Sequence, residues 1–221
     1  MKPNPLKRAL SFFWEIPIEK ISSDISGPLE VSLHKGEWKL STENAVYSFG
    51  KRYTSYALAF HQLQDKIQTV ESILILGSGI GSVARLLENQ PQLRHITVID
   101  IDPVMIDLAQ KYWPESLLDK TIFICSNAEE WVQNTADLRY NLVIADLFID
   151  DVTPAVFETA SFLTALKNLI SSNGMLLLSR IHYTASQQQK NKAFEKTFKS
   201  VFPKGYTLPV GFNLMMVGLD L

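Results

Sequence analysis

Residues 73–76 are a continuous apolar run, Ile73-Leu74-Ile75-Leu76, that passes directly into Gly77-Ser78-Gly79-Ile80-Gly81. An unbroken apolar run of this kind suits a parallel strand covered on both faces. A helical stretch, residues 82–88, follows the last glycine. Strand, glycine loop and helix in that order form a nucleotide-binding turn. Glycine takes positive φ at little cost and lets a ligand reach the backbone with no Cβ in the way. Three alternate glycines argue against a plain turn, so the chain is expected to end a buried strand at a ligand cleft.

The rest of the pattern extends that expectation. Apolar runs recur at residues 95–99, 121–125, 142–145 and 175–178, and helical stretches fall at 104–112, 128–132 and 155–170. Strands alternating with helices imply right-handed crossovers and a doubly wound parallel sheet. A helix over 191–201 is followed by strands at 206–210 and 213–219, split by Gly211. A parallel crossover needs a dozen residues or more, so this pair is antiparallel.

Before residue 50 the period changes. Leu29, Val31 and Leu33 alternate with Glu30 and Ser32, residues 34–37 read as a turn, and short strands are expected at 16–21, 38–40 and 45–49. Leu6, Leu10 and Phe13 have helical spacing. Tyr56, Phe60, Leu63 and Ile67 share one face of a helix expected over 53–67. The expectation is an α/β fold: a Rossmann-like doubly wound seven-stranded sheet, mostly parallel with an antiparallel C-terminal hairpin. It would occupy residues 51–221, after an N-terminal helix and small antiparallel β unit in residues 1–50.

Composition narrows the partners. The formal net charge is −2 and no basic block occurs, so the electrostatic footprint of a nucleic-acid binder is missing. The single cysteine, Cys125, forms no internal disulfide, and no Cys/His cluster suggests a metal. Following Ile122, Phe123 and Ile124, it is expected to be a buried strand residue. No apolar run reaches the roughly 18 residues that cross a bilayer. The N-terminus lacks the long apolar core of a secretion signal. A cytoplasmic protein acting on a small molecule, with no nucleic acid, membrane or metal, is expected. A homodimer is left open.

Individual residues carry the chemistry. The dinucleotide fingerprint places its third glycine where this chain has Ser82. The G-x-G-x-G spacing instead resembles the first motif of class I S-adenosylmethionine-dependent enzymes, with Gly77, Ser78, Gly79 and Gly81 as cofactor-binding positions. Asp100 ends the next strand 23 residues after Gly77. A carboxylate there can accept both ribose hydroxyls, with Ile101 beside it. Asp102-Pro103 reads as a helix cap and first helical residue. Asn127, with Ala128 next to it, either faces an adenine amino group or caps the following helix. Asp146 stops the fourth parallel strand and so stands in the cleft. Asp150 and Asp151 share its loop, and Phe148 is placed to wall it. Thr153-Pro154 is expected to start the next helix. Tyr53 and Tyr56 are candidates to line an acceptor pocket. His61 and His182 read as structural, with His182 near the cleft border.

Residues 73–81, 98–104 and 140–154, continued by 153–180 and preceded by a small β unit and a tyrosine-bearing helix, together resemble the spermidine synthase-like family. These are polyamine aminopropyltransferases, within the class I S-adenosylmethionine-dependent methyltransferase superfamily. The resemblance spans roughly residues 28–180. It implies decarboxylated S-adenosylmethionine as cofactor and Asp146 as base and amine anchor. It further implies Asp150 as a second anchor for a polyamine cation. Some positions depart from the family pattern. The glycine loop carries no aspartate, and Asp146-Leu147-Phe148-Ile149-Asp150 replaces the family's aspartate-serine-serine-aspartate-proline. Lys51 and Arg52 stand where the family has an acidic pair, and they would repel a polyamine. The expected function is a transferase that uses decarboxylated S-adenosylmethionine or S-adenosylmethionine to alkylate a small acceptor such as an amine. A methyltransferase on the same fold and a non-catalytic nucleoside-binding interaction module are the alternatives.

Overall fold

A computed structural model describes residues 3–43, 45–135, 137–150 and 152–219. Helix α1 (Pro5–Leu10) starts at Asn4, whose side-chain oxygen accepts from the Leu6 N–H at 2.9 Å. It stops short of Phe13, which is 81% exposed and outside any apolar face. Strands β1 (Ile16–Ser23), β2 (Gly27–His34), β3 (Glu37–Ser41) and β4 (Val46–Ser48) form an antiparallel sheet in sequence order. Lys35 and Gly36, both at positive φ, make the two-residue turn between β2 and β3. The alternating apolar residues Leu29, Val31, Leu33, Trp38 and Leu40 point the same way. They pack on Ile80, Met105, Leu108 and Tyr112 of the following layer.

The helix expected over 53–67 is two pieces, α2 (Thr54–Gln62) and α3 (Gln64–Ile67). Leu63, at φ −107° and ψ 19°, has left the helical region, and the bend carries Ile67 into the core. After it come β5 (Ser72–Leu76), α4 (Ser82–Leu86), β6 (His95–Asp100), α5 (Pro103–Tyr112), β7 (Thr121–Cys125), α6 (Ala128–Asn134) and β8 (Tyr140–Ala145). The chain closes with α7 (Ala160–Asn168), β9 (Ile170–Ile181), α8 (Ala185–Val201), β10 (Tyr206–Val210) and β11 (Asn213–Leu219). The seven strands lie in the order β10-β11-β9-β8-β5-β6-β7. Strands β5 to β9 run parallel, and β11 is antiparallel to both its neighbours. Ile73 and Ile75 face one apolar layer and Leu74 and Leu76 the other, which is why the β5 run is unbroken.

Several boundaries differ from the sequence expectation. The stretch 155–170 is a 3-10 turn, Ala155–Glu158, followed by α7. Its cap is Thr159, whose hydroxyl accepts from the Phe162 N–H, so Thr153-Pro154 does not start it. Helix α8 begins before residue 191, because Thr184 and Gln187 cap it reciprocally. Cys125 is exposed. Its strand is the outermost of the sheet and none of its residues is buried, and its thiol donates to the Ile101 carbonyl. Among the described residues, no helix is long and apolar enough to cross a membrane.

The two sheets are fastened through Asp102, which is 1% exposed. One oxygen caps α5 by accepting from the Val104 N–H at 2.9 Å. The other accepts from the Ser23 hydroxyl and, at 2.6 Å, from the Ser26 hydroxyl at the β1–β2 turn. A second tie joins Ser48 and Ser82 hydroxyls at 2.5 Å. Replacing Asp102 by Ala removes a cap and strands two hydroxyls, so a loss of about 2–4 kcal/mol is expected in denaturant unfolding. Asp102→Asn, which keeps one acceptor, should cost less. Equal losses in the two variants would contradict the double role.

Candidate functional site

The glycine loop is shaped first by its protein neighbours. Gly77, Gly79 and Gly81 all have positive φ. A Cβ on Gly77 would lie 2.3 Å from the Asp146 carbonyl oxygen, and one on Gly81 would lie 2.7 Å from the Trp113 ring. At these two positions the missing side chain makes room for the fold. Gly79, with a Cβ position 3.2 Å from the Tyr47 carbonyl, lies under the N-terminal sheet.

The loop opens on a cavity of about 470 Å³, within the range of small-molecule sites. The cavity runs along the strand tips in sheet order. Asp100 and Ile101 stand at β6, Gly77 and Gly79 at β5, Asp146 at β8, Ile181 and Tyr183 at β9, and Phe212 and Asn213 at the β10–β11 turn. The N-terminal sheet closes it from above through Ile25, Ser26, Val46 and Tyr47. Phe148, Ile149 and Asp150 of the β8 loop and Tyr53 complete the walls.

Ser78 is buried and turned to Asp100, whose Oδ2 accepts from its backbone N–H at 2.8 Å and its hydroxyl at 2.9 Å. Asp100 Oδ1 accepts from the Asp102 N–H at 3.1 Å. Burial raises the Asp100 carboxyl, the Ser78 donors pull it back, and the neighbouring Asp102 adds to the rise. The carboxylate is thus held at the cavity edge by the loop itself.

Asp146 is the most perturbed acid. Burial pushes its carboxyl up to about 6, against the Tyr53 hydroxyl, which donates to Oδ2 at 2.7 Å. Burial and that same carboxylate hold the Tyr53 phenol well above its ordinary value, so it remains a donor. Asp146 Oδ1 and the Tyr56 hydroxyl are buried and make no well-aligned hydrogen bond, although the Tyr56 and Ser179 hydroxyls lie close enough to the carboxylate to favour its charged form. Asp146 lines the cavity, so its loosely engaged Oδ1 has capacity for a further donor there. Stacked rings hold Tyr53 against Tyr56, with centroids 5.7 Å apart.

Asp150 takes positive φ at the tip of its loop. Its N–H donates to the Tyr47 hydroxyl at 2.5 Å and its Oδ1 accepts from Thr42 at 2.7 Å, which ties the loop to the N-terminal sheet. Asp151 lies outside the described residues. Among the described lining residues, the charged groups are Asp100, Asp146 and Asp150, with no Lys, Arg or His. Lys51 and Arg52 are exposed and neither lines the cavity.

Other expected residues sit elsewhere. Asn127 accepts from the Glu129 N–H at 2.8 Å and caps α6. Neither it nor the buried Ala128 lines the cavity, nor do Ser78 and Gly81. His182 packs against Asn191, and His61 is exposed on α2. Conversely, Tyr47, Tyr183, Gln187 and Phe212 line the cavity without having been singled out. The Thr184-x-x-Gln187 capping pattern was a readable signal that a helix starts at this rim.

Comparison with known proteins follows the same lines. A sequence profile described as "Spermine/spermidine synthase domain" matches residues 53–216. A probable polyamine aminopropyl transferase of Bifidobacterium longum is 29% identical over 157 residues, covering 71% of this chain and 34% of that protein. A polyamine aminopropyltransferase of Sulfolobus acidocaldarius is 33% identical over 124 residues, covering 53% of this chain and 41% of the other. The chain therefore spans less than half the length of these curated relatives. In structure, the chain is similar to spermidine synthase from Thermotoga maritima, with a TM-score of 0.69 at 16% identity, covering 93% of this chain and 74% of that one. At that identity the likeness concerns the fold.

The Asp146 environment makes a titration prediction. Its carboxyl resonance should titrate near pH 6. Tyr53→Phe removes the donor that favours the charged form, so the midpoint should move upward. A midpoint that falls in that variant would overturn the assignment. Stability carries the same sign. The folded value lies above the ordinary 3.8, so ionising Asp146 costs stability as pH rises from about 4 through 6. Asp146→Asn should therefore unfold at a higher denaturant concentration than the parent at pH 8, and this advantage should vanish below pH 4.

Proposed function

The chain belongs to the spermine/spermidine synthase family, and on that premise we propose that it transfers an aminopropyl group from decarboxylated S-adenosylmethionine to a small amine bound at Asp146. The observation that carries this reading is the charge of the cavity. Three carboxylates and no basic residue line its described walls. Such a surface favours a cationic sulfonium and an ammonium, and it opposes the carboxylate that S-adenosylmethionine keeps and its decarboxylated form lacks.

The residues present fit that pair of ligands. The adenosine portion belongs at β5 and β6, with Gly77 and Gly79 as bare floor and Asp100 and Ile101 at the ribose edge. When bound, the sulfonium supplies a carbon activated for displacement, and methylthioadenosine is the leaving product. The remaining work falls to side chains. An amine attacks only after losing a proton, and Asp146 Oδ1, which makes no well-aligned hydrogen bond, is the acceptor assigned to it in this reading. Its raised affinity for protons suits it to that task near neutral pH. Tyr53 keeps Oδ2 engaged, so Oδ1 is the oxygen presented to the substrate. Phe148 and Ile149 wall the reacting region with apolar surface, which weakens competition from water.

Calorimetry with the two nucleosides discriminates aminopropyl from methyl transfer. The decarboxylated form should bind at least about tenfold more tightly. Tighter binding of S-adenosylmethionine would favour the methyltransferase alternative. Asp146→Asn should lower kcat by about 100-fold or more while nucleoside affinity stays within a few-fold. Unchanged turnover in that variant would remove Asp146 from the mechanism. In the parent, kcat/KM should fall on the acid side of about pH 6, because protonated Asp146 cannot accept the proton.

A further inference from the structure

We infer that the amine this site accepts carries an uncharged, aromatic or apolar tail, bound against Tyr183 and Phe212, in preference to a second ammonium group. The inference rests on the aminopropyl-transfer reading for the position of the reacting nitrogen at Asp146. Strand order then sets the direction of the tail. Adenosine fills the β6 and β5 side of Asp146, so the acceptor extends to the opposite side, over β9 and β11. These strands lie about 5 and 10 Å beyond β8, the reach of a short alkyl chain and a ring.

The walls met there are neutral. Ile181, Tyr183, Thr184, Gln187, Phe212 and Asn213 form that end of the cavity, and none carries a charge. Tyr183 and Phe212 are 67% and 72% exposed and meet edge to face, with centroids 5.2 Å apart. The pair is not a loose surface contact. The His182 N–H donates to the Phe212 carbonyl at 2.8 Å, which pins the turn that carries Phe212 to the end of β9. The polar groups reinforce the argument. Gln187 Oε1 accepts from the N–H groups of Tyr183 and Thr184 at 3.1 and 3.0 Å, so its acceptor is already engaged in capping α8. Its amide NH2 is a donor, the wrong partner for an ammonium. Asn213 donates to the Ser179 hydroxyl at 2.9 Å and keeps a neutral carbonyl. A second ammonium here would lose water without gaining a carboxylate, whereas a ring would cover two exposed aromatic faces.

Competing acceptors test this. With decarboxylated S-adenosylmethionine, 4-phenylbutylamine should show a kcat/KM at least about tenfold above 1,4-diaminobutane, with n-butylamine between them. Phe212→Ala and Tyr183→Ala should each bring the ratio towards one, and Phe212→Asp should reverse it. A parent enzyme that prefers the diamine, or a ratio unmoved by Phe212→Ala, overturns the inference. Amine binding in the presence of methylthioadenosine, measured by calorimetry, orders the same amines without turnover. The predicted order with no transfer would sink the proposed reaction and keep the acceptor assignment. Binding of none of the amines would sink both.

Discussion

Two strand tips, β5 and β8, approach so closely that a methyl group on Gly77 would sit 2.3 Å from the Asp146 carbonyl oxygen. That contact is between backbones, so nothing can flex to relieve it. It fixes the height of the cavity floor and, one bond further on, the origin of the Asp146 side chain. From that origin the carboxylate rises into a pocket whose burial lifts its proton affinity. The glycine that a sequence reader assigns to a ligand therefore serves the packing of the sheet first. The ligand site follows from what that packing leaves bare.

The ceiling is built differently. Apolar packing seats the N-terminal sheet on α5, but its alignment over the cavity depends on hydroxyls and carboxylates. Asp102 holds Ser23 and Ser26, Ser82 holds Ser48, and Asp150 holds Thr42 and Tyr47. Tyr53, just beyond this sheet, reaches down to Asp146. Directional bonds of this kind specify geometry better than they add stability. The same loop that carries Asp146 is thus held at both ends of its reach, by the strand below and the sheet above.

Much of this was readable from one sequence because the signals are local. Period and composition located the seven strands of the large sheet, and the span of the closing hairpin left no choice but antiparallel pairing. Asp100 and Asp146, read from strand tips, and Phe148 and Asp150 in the loop after the fourth strand all line the cavity, as does Tyr53, which was read from its helix. What escaped depends on partners distant in sequence. Asp102 read as a helix cap, which it is, but its bond to Ser23 spans 79 residues. Cys125 looked buried because its neighbours are apolar; the strand order that puts β7 at the edge is invisible to local pattern. Tyr183 and Phe212 carry no motif at all, and they meet only because β11 folds back alongside β9.

The bonds that enclose the cavity have a bearing on how the chain acquires it. Tyr53 to Asp146 closes a separation of 93 residues and Thr42 to Asp150 one of 108. Long closures form late and slowly, since their entropy must be overcome before any contact rewards them. A nascent or partly unfolded chain that owns every residue of the pocket still presents no pocket. The enclosed cavity thereby becomes a reporter of complete folding, formed only when the first fifty residues dock.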